Sequence, residues 1–182
     1  MHRQIILLVL IANLFACSAS IEDYQEARPA FALFDFFEGD VTAWGMLQDY
    51  SNKQTRRFEA QITGTVTGDT ITLDEKFLFD DGETQTRVWH IVRHQNGTFT
   101  GTASDVVGVA TGRVVGNAFH WQYKLNVPVG EKEYVISLDD WLYRQDENHM
   151  FNLTTLRKFG ITVGKLTLFF EKQPQKREPM LP

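Results

Sequence analysis

The sequence predicts an all-β protein, an antiparallel meander of about eight to ten strands closed into a β-barrel. Three observations predict it. Apolar and polar residues alternate with a period of two in segment after segment, as in strands with one buried face. Turn dipeptides such as Gly68-Asp69, Asp81-Gly82 and Asn96-Gly97 separate those segments. No long amphipathic helical pattern competes with them. An open meander exposes two strand edges, and closing it removes both.

Each strand is read from its alternation. Phe58, Ala60, Ile62, Gly64 and Val66 share one face, with Arg57, Glu59, Gln61, Thr63 and Thr65 on the other. Gly68-Asp69 serves as a two-residue hairpin turn, which sets Val66 opposite Ile71 and Ile62 opposite Glu75. Ile71, Leu73, Glu75, Phe77 and Phe79 carry the inner face onward. Phe119, Trp121, Tyr123, Leu125 and Val127 make a later strand, Tyr134, Ile136 and Leu138 another, and Leu166, Leu168 and Phe170 the last. The expected architecture is a lipocalin-like barrel, with a β-sandwich as the alternative. The lipocalin Gly-x-Trp fingerprint is missing, because Gly39 and Trp44 stand too far apart.

The N-terminus reads differently. Met1 to Gln4 carries one firm positive charge, Arg3, and Ile5 to Leu14 is almost wholly apolar. That run is too short to span a bilayer, which takes about 20 apolar residues, and its flanks are those of a secretory signal. Leu14-Phe15-Ala16-Cys17 resembles a bacterial lipobox, in which the cysteine thiol receives a diacylglycerol before cleavage. Residues 1–16 are therefore expected to be a cleaved signal peptide, and Cys17 the lipidation site. With a single cysteine no internal disulfide can form, and lipidation gives that thiol a role. Ser18 rather than Asp follows it, which by the proteobacterial sorting rule implies the outer membrane, facing the periplasm. Residues 17–32 read as lipidated terminus and tether, 33–172 as the barrel domain, and 173–182 as a polar tail. Loss of Arg3 leaves 17 basic residues against 23 acidic, a net charge of −6. That balance, with no basic cluster, argues against nucleic acid as a partner.

Several stretches taken together resemble an uncharacterised family of proteobacterial lipoproteins known as a domain of unknown function. They include Phe36-Phe37-Glu38-Gly39, Ala43-Trp44-Gly45, Leu73-x-Glu75-x-Phe77 and Arg87-x-Trp89. Gly101-x-Ala103-x-Asp105-Val106-Val107-Gly108, Asp139-Asp140-Trp141 and Lys158-Phe159-Gly160 extend the likeness over residues 33–172. The chain departs from it at Asn152-Leu153, where similar proteins read Asn-Arg, and at Leu156, where they read Met. The resemblance implies an envelope location and a barrel, and no established activity.

Polar residues on apolar faces mark a candidate interior site. Glu75 shares its face with Ile71, Leu73, Phe77 and Phe79, and Asp105 shares its face with Phe99, Gly101 and Ala103. An unpaired carboxylate turned into a barrel costs several kcal/mol, on the order of 3–5 when its partner is removed. Arg87 lies between the two in sequence, and the turns decide whether it also lies between them in space. Three-residue loops at Asp80-Asp81-Gly82 and Gln95-Asn96-Gly97 set Glu75 opposite Arg87 and Arg87 opposite Asp105. Two-residue Asp-Gly and Asn-Gly turns would instead turn Val88, His90 and Val92 inward. The dipeptides favour the second arrangement; charge compensation and the burial of Trp89 and Ile91 favour the first, which is the one expected here. The candidate ligand site is then Glu75, Arg87 and Asp105 at the polar end and Trp89, Trp121 and Tyr123 along the apolar remainder, with Gly101 and Ala103 leaving room beside them.

No catalytic constellation stands out. There is no Gly-x-Ser-x-Gly elbow and no phosphate-binding glycine loop. His90 and His94, four apart on a strand, sit about 13 Å apart along it, too far to share a metal. Asp139-Asp140 are strand neighbours and so point to opposite faces. Neither a metal nor a cofactor is expected. The function expected first is binding or carrying a small amphipathic ligand, fatty-acid-like or lipid. A non-catalytic accessory protein that recruits an envelope partner is the alternative, and an enzyme acting on a lipid in the cavity the third.

Overall fold

The computed structural model describes residues 19–173, so the expected signal peptide, Cys17 and most of the polar tail lie outside the described residues. Ten strands run in chain order: β1 (Gly39–Asp49), β2 (Gln54–Thr67), β3 (Thr70–Phe79), β4 (Thr84–Arg93), β5 (Thr98–Thr102), β6 (Ala110–Val115), β7 (Ala118–Val129), β8 (Lys132–Arg144), β9 (His149–Lys158) and β10 (Ile161–Lys172). All pairs are antiparallel, and β1 closes on β10 with Ala43 opposite Phe170 and Leu47 opposite Leu166. The sheet is a closed barrel, not a sandwich, and the meander has no free edge.

Turn chemistry sets the register. Gly68, at φ 60°, opens the β2–β3 hairpin and places Val66 opposite Ile71 and Ile62 opposite Glu75. The two hairpins that decide the interior follow. The Phe79 amide donates to the Glu83 carbonyl at 2.9 Å, and the His94 amide to the Thr98 carbonyl at 2.9 Å. Asp80-Asp81-Gly82 and Gln95-Asn96-Gly97 are therefore three-residue loops. Each ends in a glycine with positive φ, 85° at Gly82 and 75° at Gly97, which glycine adopts without steric penalty. Glu75 pairs with Arg87, Leu73 with Trp89 and Ile71 with Ile91, so these side chains share the inner face. Val88 and His90 turn outward.

One end of the barrel is plugged. Before β1 the chain makes a 3-10 turn at Ile21–Tyr24, where Glu22 pairs with Arg113 at 2.5 Å and the Tyr24 ring lies 5.8 Å from Trp141. The Phe31 amide then donates to the Gly116 carbonyl at 2.7 Å. Much of the segment read as a tether is thus laid against the barrel. A five-residue helix, Leu33–Phe37, follows; a single turn carries too little periodicity to be read from sequence. It buries Leu33, Phe34, Phe36 and Phe37 in the end of the barrel. Gly64 faces the Phe37 carbonyl so closely that no side chain fits there, which seats the plug. At the opposite end no helix among the described residues covers the opening, and Tyr50, Val109, Val129, Phe159 and Ile161 are exposed around it.

Candidate functional site

Above the plug the barrel is hollow. Its cavity has a volume of about 280 Å³ and is walled mainly by apolar side chains from nearly every strand. Toward the open end these are Phe58, Phe77, Phe79, Leu156 and Leu166; toward the plug, Trp89, Trp121, Phe119 and Leu168. The six residues expected at the site come together on this inner surface, Asp105 at its edge from the segment that follows β5.

Arg87 holds the polar end. Its Nε donates to both Asp105 carboxylate oxygens at 3.1 and 3.0 Å, and Nη2 donates to Oδ2 at 2.7 Å. Nη1 faces Glu75 Oε2 at 3.7 Å, and the guanidinium lies 5.6 Å over the Phe77 ring. The Trp89 ring meets Trp121 and Tyr123 edge-on, with centroids 5.9 and 5.3 Å apart.

Two features differ from the sequence reading. Gly101 does not open space for a ligand: a Cβ there would lie 2.8 Å from the Trp121 ring, which occupies that room, and Ala103 packs on the core. The small residue makes a seat for an aromatic ring instead. The second is Asp140, which the sequence reading left out of the site. It faces the cavity from β8, opposite Trp121, and is 7% exposed. Its signal was present, since Tyr134, Ile136, Leu138, Asp140 and Leu142 form one unbroken alternation. Thr154 and Tyr123 are placed to hydrogen-bond its carboxylate, yet Oδ1 has no partner among the described residues. Asp139 points outward and is held by His120 Nε2 at 2.5 Å and Arg157 Nη1 at 2.8 Å. His90 and His94 bind separate threonines, Thr72 at 3.2 Å and Thr100 at 2.8 Å.

A family described as "Protein of unknown function (DUF3833)" matches residues 11–172, most of the sequence. The chain belongs to the DUF3833 family. No curated protein matches it. Among solved structures, the DUF3833 barrel is similar to an S-type phycobiliprotein lyase, CPES, from Guillardia theta. The TM-score is 0.57 at 8% identity, over 79% of this chain and 92% of that one. It is also similar to Rv2717c from M. tuberculosis, with a TM-score of 0.55 at 12% identity, over 82% of this chain and all of the other. At these identities the likeness is one of fold.

The electrostatics of this DUF3833 interior are set by burial. Desolvation raises the Glu75 pKa to about 7, with Asp105 and Asp140 adding repulsion and Arg87 only partly offsetting it. Desolvation likewise raises Asp140 to about 7 against the hydrogen bonds from Thr154 and Tyr123. Tyr123 is pushed well above the ordinary phenol range by burial and by Asp140. Burial disfavours the Arg87 charge, but its bonds to Asp105 and the Glu75 charge outweigh that and raise its pKa. At Asn152-Leu153, for which the resemblance implied Asn-Arg, the Asn152 side-chain amide donates to the Trp141 carbonyl at 3.4 Å inside the barrel, while Leu153 is exposed outside. An arginine at position 153 would face away from the cavity.

Proposed function

We propose that this DUF3833 protein binds or carries a small amphipathic molecule in its barrel, a lipid or other amphiphile with one fatty-acid-like chain. The observation behind this reading is the hollow interior: an apolar chamber of about 280 Å³ with a few polar groups converging at mid-height. A chamber of that size is at the small end of the ligand pockets found in proteins, roughly 300–1,000 Å³. That suits one short chain and not a diacyl lipid. The open end gives a route inward past Phe58, Phe77 and Phe79. We further propose that the mature protein begins at Cys17, lipidated and held at the outer membrane on the periplasmic side; the family match begins at residue 11 and so takes in Leu14 to Cys17. Palmitate labelling that disappears in Cys17→Ala checks the anchor.

Four tryptophans make the binding test direct. Trp89 and Trp121 line the cavity, whereas Trp44 and Trp141 lie on the outer face. Titration with ten-carbon amphiphiles is expected to shift the emission of wild type with a one-to-one endpoint. In the Trp89→Phe/Trp121→Phe variant the shift is expected to vanish. A shift that persists there would place binding elsewhere. A second reading, an accessory protein that recruits an envelope partner, has its own observation. Trp44, Phe151, Phe169 and Leu153 form an apolar patch across β1, β10 and β9 on the outside, with Trp44 stacked on Phe169 at 6.2 Å.

A further inference from the structure

We infer that the occupant's head group is a hydrogen-bond donor, best a protonated amine, seated between Asp140 and Glu75, and not a carboxylate. This rests on the cavity-binding reading and narrows it. Arg87 is the one cation among the described residues that line the chamber; it pairs with Asp105 and Glu75, and a third acid, Asp140, lines the same chamber. Its Nε and Nη2 are taken by Asp105 and its Nη1 faces Glu75, so an incoming anion would have to displace a partner already held. The acids, in contrast, have capacity left. Asp140 is more than nine-tenths buried, lines the chamber, and its Oδ1 is without a hydrogen-bond partner among the described residues. Glu75 has Arg87 at 3.7 Å, beyond hydrogen-bond distance, with side-chain exposure of 13% toward the chamber.

Buried polar atoms in native proteins nearly always find a partner, so the Glu75 carboxylate, exposed to the chamber and without a hydrogen bond among the described residues, marks where a ligand's donor belongs, with the Asp140 charge beside it. An ammonium supplies up to three donors and a charge that Asp140 and the incompletely offset Glu75 attract in a low-dielectric chamber. A carboxylate head adds a fourth acid to one cation.

The test is a matched series of ten-carbon probes, decylamine, decanol and decanoate, titrated at pH 8 by tryptophan emission into wild type, Asp140→Asn and Glu75→Gln. Decylamine is expected to bind wild type roughly tenfold or more tighter than decanol, with decanoate weakest. In Asp140→Asn the amine's advantage is expected to shrink to about threefold or less, while decanol is unchanged and reports an intact cavity. If Asp140→Asn fails to fold, Glu75→Gln carries the same comparison. Decanoate binding tighter than decylamine, or an amine preference unaltered in both variants, would overturn the head-group assignment and leave the cavity reading standing. Binding of none of the three to wild type would remove the cavity reading itself.

Discussion

The two ends of the barrel are built from the same alternating strands, yet they are packed in opposite ways. At the plugged end Leu33, Phe34, Phe36 and Phe37 meet Val41, Ala43, Ile71, Phe119 and Phe170, all buried. At the open end the inward residues Phe58, Phe77, Phe79, Leu156 and Leu166 are only half-buried around a void. Stability is therefore concentrated in the floor, and the upper half is left loosely packed around the void. Truncation at each end tests this. Phe36→Ala, at 2% exposure, is expected to cost about 3–5 kcal/mol in urea denaturation. Phe77→Ala, whose ring already borders empty space, is expected to cost less than half as much. Equal costs would mean that the upper half is as tightly packed as the floor.

The mid-height ion cluster separates inside from outside in the same way. Arg87→Met leaves Glu75 and Asp105 without their cation and is expected to cost about 3 kcal/mol. The exposed Arg93–Asp69 pair, at 3.0 Å, is the surface counterpart. Arg93→Met there is expected to cost less than about 1 kcal/mol, because solvent screens both charges and the retained stem still covers Phe34. A larger loss at Arg93 than at Arg87, again by urea denaturation, would mean that the interior network adds nothing.

The same contrast explains what was legible in the sequence. Alternation reports a face, so the strands and the inward run Ile71, Leu73, Glu75, Phe77 follow from residue order alone. Register could be read only with a second argument. Asp-Gly and Asn-Gly by themselves favour two-residue loops, and the need of Glu75 and Asp105 for a cation selected the longer pair. Neither signal reports which side chain fills a given space. Gly101 reads as room, but the room is taken by Trp121, two strands away. Asp140 continues the inward alternation of Tyr134, Ile136 and Leu138, but beside Asp139 it reads as half of a carboxylate pair that strand geometry divides between two faces. The plug at Leu33–Phe37 has no sequence period to betray it.

Those two neighbours make the sharpest comparison, because opposite environments give them opposite pH responses. Asp140 has its folded pKa raised to about 7 by burial, from 3.8 in the unfolded chain. Between those values the folded state holds a proton that the unfolded state has released, so stability falls as pH rises and levels off above about 7. Burial acts on Asp139 too, but Arg157 and His120 outweigh it and lower its pKa. Its contribution is complete above pH 3.8 and is lost as pH falls below that value. Measured by urea denaturation from pH 5 to pH 8, wild type is expected to lose on the order of 2–3 kcal/mol through Asp140, with Glu75, also raised to about 7, adding a comparable loss. Asp140→Asn removes about half of that slope and gains stability relative to wild type as pH rises. Asp139→Asn leaves the slope between pH 5 and 8 in place and lowers stability throughout. A variant at Asp140 with the wild-type slope would mean that its carboxylate is already ionised in the folded barrel, with a counter-charge inside the chamber to hold it.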